Sequence, residues 1–84
     1  MEAIPNEGYG LSMGLDISGL EMVRVLERLG FVVIRRERHT VMSHPDRPNE
    51  RVIVPNHRTA LAPGTLSSIV KQAKITRDDV RREM

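Results

Sequence analysis

The spacing of apolar residues changes character several times along this chain, and each change marks an element. Leu20, Met22, Val23, Leu26 and Leu29 fall on one broad helical stripe, with Glu21, Arg24, Glu27 and Arg28 on the opposite side. Ser18 stands three residues before Glu21, the spacing of a capping box, and Ile17 and Met22 occupy the two positions of a hydrophobic staple. Gly30 ends that helix where a left-handed residue is needed. The β-branched runs at 31–36 and 39–43 then predict two strands. Residues 45–50 have the composition of a turn. Residues 51–54 predict a third strand, and pairing should fail at Pro55, which has no N–H for the ladder.

A polar loop over 56–64 follows, after which Leu66, Ile69, Val70 and Ala73 recur at helical spacing. Either Thr65 caps this helix or Pro63 is its first residue. A short last helix starts at Thr76, with Ile75 and Val80 placed to staple it. The order is helix, three strands, helix, helix, an α+β class. Short connections make the three strands an antiparallel meander. Helices should cover one face of the sheet and leave the other for a ligand. Residues 1–15, interrupted by Pro5, Gly8, Gly10 and Gly14, show no periodicity and read as a disordered or loosely packed extension, with Met13 a candidate natural start. Residues 16–84 form one small domain.

Composition narrows the class. Tyr9 and Phe31 are the only aromatic residues, so the core must be aliphatic. The absence of cysteine excludes disulfides and thiolate metal sites. The longest apolar run, Phe31 to Ile34, is too short to span a bilayer, and no secretory signal is visible, so a cytoplasmic protein is the simplest reading. The net charge of +2 hides an uneven distribution: residues 31–77 carry nine Lys/Arg against Glu37, Asp46 and Glu50. Eleven of the thirteen basic residues are arginine, whose planar fork matches phosphate. A basic middle fits a nucleic-acid binder. It fits an ordinary solvated surface equally well.

The candidate chemistry lies in Arg35-Arg36-Glu37-Arg38-His39. Imidazole transfers protons near neutral pH, and metal-independent RNA cleavage needs a base, an acid and positive charge around the phosphorane. On the second strand His39 should share a face with Val41 and Ser43, opposite Thr40, Met42 and His44. A bare histidine of this kind is more often an ordinary surface residue. His44, before Pro45, suits turn packing or hydrogen bonding, and His57 could approach His39 if its loop folds over the sheet. Lys71, Lys74 and Arg77 either line a phosphate track or complement the negative end of their helix. Three histidines without supporting Cys, Asp or Glu spacing make a weak metal case, so no metal or cofactor is expected.

These pieces together resemble the HicA/YcfA family of bacterial mRNA interferase toxins. The resemblance runs from about Ile17 to Val80 and is carried by "LERLGF" (Leu26 to Phe31), the arginine-led strand, and His39 five residues before His44-Pro45-Asp46. It continues through "VIVPNH" (Val52 to His57) and "PGTLSSIVKQAKIT" (Pro63 to Thr76). It implies a double-stranded-RNA-binding-domain-like fold, an endoribonuclease acting on single-stranded mRNA without cofactor, and a HicB-like antitoxin that covers the active site. His39 matches the family's catalytic histidine. The RNA-binding set would be Arg35, Arg36, Arg38, His57, Lys71 and Lys74, with Arg36 and Arg38 at the phosphate.

One departure stands out. The family's histidine follows Gly-Ser, whereas His39 follows Glu37 and Arg38. A missing Cβ lets backbone approach a phosphate, while Glu37 adds bulk and repulsion that Arg38 could offset. The aromatic residue usual near Met42 is also absent, which reduces stacking for a base. An alternative therefore stands beside the ribonuclease: a weakened or inactive relative that mainly binds RNA or an antitoxin.

Overall fold

The computed structural model describes residues 15–84. The expected extension over 1–15 lies outside them except for Leu15, which is buried in the core. The elements run α1 (Gly19–Arg28), β1 (Val32–Arg36), β2 (His39–His44), β3 (Arg47–Pro55), α2 (Pro63–Ala73) and α3 (Arg77–Glu83). The strands form one antiparallel sheet in the order β1-β2-β3, the meander expected of an α+β chain and consistent with a double-stranded-RNA-binding-domain-like fold. Among the described residues no helix is long and apolar enough to cross a membrane.

Local chemistry sets the helix ends. The Ser18 hydroxyl accepts the Glu21 N–H at 3.1 Å, and the Glu21 carboxylate accepts the Ser18 N–H at 2.9 Å, closing the capping box. Ile17 and Met22, the staple pair, are both buried. Gly30 adopts φ +98° and turns the chain into β1. Pro63 is the first residue of α2, after Ala62, which makes no side-chain cap, so Thr65 is inside the helix. Thr76 caps α3 with a capping box of its own to Asp79.

The core is aliphatic and sits between the helices and one face of the sheet. Met22, Leu26, Met42, Val52, Val54, Leu66, Ile69 and Val80 are all at most 1% exposed. Leu20, expected in the apolar stripe of α1, is instead 37% exposed, and Val25, outside that stripe, is buried. The cause is α3, which packs against α1 and shifts the buried face; Arg28 donates to the Glu83 carbonyl at 2.6 Å across the same contact.

The turn expected over 45–50 shrinks to Pro45-Asp46, because β3 begins at Arg47, which pairs with His44. An edge strand tolerates Pro48, whose missing donor would break a central one. Side chains compensate for the poor strand propensity here. Glu50 binds Lys74 at 2.9 Å and Arg47 at 3.4 Å, and Arg47 reaches the Ala73 carbonyl, tying this half of β3 to the end of α2. At its other end β3 runs one residue past the expected limit and stops at Pro55.

Candidate active site on the open sheet face

Alternation along β2 divides its residues between the two faces. Thr40 and Met42 are fully buried under the helices, while His39 is exposed and Val41 half-exposed on the open side. Ser43 does not continue this exposed row. It is buried, its hydroxyl donating to the Pro48 carbonyl at 3.4 Å, where a register shift between Met42 and His44 distorts the ladder. His44 packs edge-on against the Phe31 ring at 5.0 Å, and its Nδ1 accepts the Asp46 N–H at 3.1 Å. That is a turn-stabilising role.

On the open face Arg35, Val41 and Ile53 stand in one cross-strand row. Together with Glu37, Arg38 and His39 they line a concavity of about 500 Å³. Its floor is aliphatic, and its rim carries two guanidinium groups, one carboxylate and one imidazole. Arg35 lies 4.0 Å from Glu37, both side chains about two-thirds exposed. A pair so well solvated holds neither partner firmly.

The β1–β2 hairpin that presents these groups is held by Asn56. Its backbone N–H donates to the Arg38 carbonyl at 3.1 Å, and its side-chain amide donates to the Glu37 carbonyl at 2.6 Å. Its Oδ1 accepts the hydroxyl of fully buried Thr40 at 2.5 Å, pairing a group that is costly to bury unsatisfied. A further bond from the Glu37 N–H to the His39 carbonyl closes the tip at 3.0 Å. Asn56 was legible only as part of a motif, since nothing local marks a residue sixteen positions downstream as the partner of Thr40.

The remaining basic residues are dispersed. Arg36 is exposed, in register with buried Thr40, and does not line the concavity. His57 is exposed, but its loop is bound to the start of α1, with its carbonyl accepting the Leu20 N–H at 3.2 Å. Its side chain does not line the concavity either. Lys71 is exposed on α2, and Lys74 is engaged by Glu50. Arg77 donates to the Ser67 hydroxyl at 2.8 Å. The site is thus built from Arg35, Glu37, Arg38, His39, Val41 and Ile53, and α2 presents its lysines elsewhere.

A family model described as the HicA toxin of bacterial toxin–antitoxin systems matches residues 19–75. The chain belongs to the HicA toxin family. The match takes in α1, the whole sheet and α2, so every residue lining the concavity falls inside it. A search of curated proteins finds no match. Membership makes the protein a toxin of a toxin–antitoxin system, a family with an antitoxin partner and an RNA target in general.

Proposed function

We propose that this HicA-family toxin is an endoribonuclease that cleaves single-stranded mRNA in the cytoplasm without a cofactor, with His39 as general acid/base. The observation that supports this is the exposed imidazole of His39 in a concavity rimmed by Arg35 and Arg38. The sugar–phosphate backbone would lie along the open face, with the scissile phosphate beside His39. Arg35 and Arg38 then meet the charge that grows on the phosphorane. Arg36, His57, Lys71 and Lys74 stand outside the concavity and take no part in this placement of the strand. A HicB-like antitoxin would restrain the toxin by covering the same face.

The test compares wild type and His39→Ala on a single-stranded RNA in EDTA, with folding checked by circular dichroism. Wild type should cleave, and the variant should be slower by a factor of about 100 or more. Equal cleavage by the two, or a folded wild type that leaves the RNA intact, overturns the proposal. Glu37-Arg38 in the place of the family's Gly-Ser favours a second reading, a module that binds RNA or antitoxin without cutting. That reading requires salt-sensitive binding with RNA length unchanged.

A further inference from the structure

Cleavage of RNA by its own 2′-hydroxyl moves two protons. One leaves the nucleophile and one must reach the departing 5′-oxygen, so a single imidazole serves both only by acting twice. The concavity holds a second group able to carry a proton. Glu37 lines it together with His39, two positions away across the hairpin tip, and the other polar side chains there are guanidinium groups, which do not give up a proton. The tip is held in one shape by the bonds from Asn56 and by the Glu37–His39 backbone bond. The charged groups facing Glu37 are Arg35 from β1, Arg38 from the tip and His39 from β2, and the floor beneath is Val41 and Ile53. The Arg35 contact at 4.0 Å is too loose and too solvated to occupy the carboxylate.

We infer that Glu37 is the second proton-transfer group of this site, acting as general base while His39 is the general acid. This rests on the ribonuclease reading above. The Glu37 carboxylate takes the proton of the 2′-hydroxyl as that oxygen bonds to phosphorus. The bond from phosphorus to the 5′-oxygen breaks, and imidazolium at His39 gives its proton to that oxygen. The products are a 2′,3′-cyclic phosphate and a free 5′-hydroxyl, with one proton moved from His39 to the leaving group and one gained by Glu37. Exchange with water restores both. Glu37, the first of the two residues that replace Gly-Ser, is on this account a working part of the site.

The test uses the full chain and an oligonucleotide with one ribonucleotide at a position that wild type cuts, made with either oxygen or sulfur at the 5′-bridging position. Sulfur leaves as thiolate and needs no proton. With the oxygen substrate, Glu37→Gln and His39→Ala should each lose a factor of about 100 or more, and Glu37→Asp should recover part of that rate. With the sulfur substrate, His39→Ala should return to within about tenfold of wild type, while Glu37→Gln stays slow. Glu37 is exposed, so its variants should keep the wild-type melting curve. Normal oxygen-substrate cleavage by Glu37→Gln, with His39→Ala inactive, overturns this inference and leaves the ribonuclease reading standing. Sulfur rescue of Glu37→Gln in place of His39→Ala, or of neither, also overturns the assigned roles. A folded wild type that cuts neither substrate overturns both readings.

Discussion

Gly19 offers a direct test of how the fold supports the site. It is the first residue of α1, where most side chains are tolerated, yet a Cβ built there would lie 1.8 Å from the Pro55 carbonyl oxygen and 3.3 Å from the His57 nitrogen. Carbon–oxygen contacts are seldom closer than about 3.3 Å, so the two backbones would have to separate by about 1.5 Å. Alanine gains up to about 1 kcal/mol of helix preference over glycine. Against this, forced repacking costs about 1–3 kcal/mol. Loss of the Leu20 N–H bond to the His57 carbonyl, now 3.2 Å long, costs about 1 kcal/mol more. Gly19→Ala should therefore destabilise by about 2 kcal/mol, a fall in Tm of about 8–16 °C for a domain of this size. Urea titration should show a lower midpoint with an unchanged slope. Pro55 leads directly into Asn56, so the ribonuclease activity proposed above should fall along with stability. A Gly19→Ala variant that melts within 2 °C of wild type (roughly 0.5 kcal/mol), or above it, would refute this account of the α1–β3 approach.

Two other perturbations probe separate levels of the structure. Asn56→Ala should leave the buried Thr40 hydroxyl unpaired, at a cost of about 1–3 kcal/mol, and release the Glu37 carbonyl. Its kcat should drop more than its KM rises, and Asn56→Asp, which keeps the acceptor for Thr40 but not the donor for Glu37, should retain more stability than activity. Unchanged kcat in both variants would remove Asn56 from any positioning role. Glu21 and Asp79 are each held below the ordinary carboxylate range, chiefly by the backbone N–H of their cap residue and next by its hydroxyl, while slight burial opposes this. Because the folded-state values are lowered, the stability they contribute is complete above the unfolded-state range of about 3.9–4.3 and is lost as pH falls through the folded values. Thermal melts of wild type between pH 6 and pH 2.5 should therefore lose Tm more steeply than those of the Glu21→Gln/Asp79→Asn double variant; parallel curves would count against it.

The helix caps, the staples at Ile17–Met22 and Ile75–Val80, the left-handed Gly30 and the alternation at His39-Thr40-Val41-Met42 were all legible in the sequence. Each depends on residues within a turn or a strand of one another, so spacing alone carries the information. The identity of His39 as the group to examine came the same way, from its arginine neighbours and the family pattern around it. Tertiary structure decided what spacing could not. It moved the buried face of α1 toward Val25 once α3 packed there, and it extended β3 across Pro48 and Asn49 because Glu50, Arg47 and Lys74 bind that segment to α2. It placed Asn56 under the hairpin tip, brought Gly19 against Pro55, and set Glu37 in the same concavity as His39 while leaving the α2 lysines outside it. These outcomes depend on partners up to 55 positions apart in the chain, as with Arg28 and Glu83. A local pattern has no means of choosing such partners before the chain has folded.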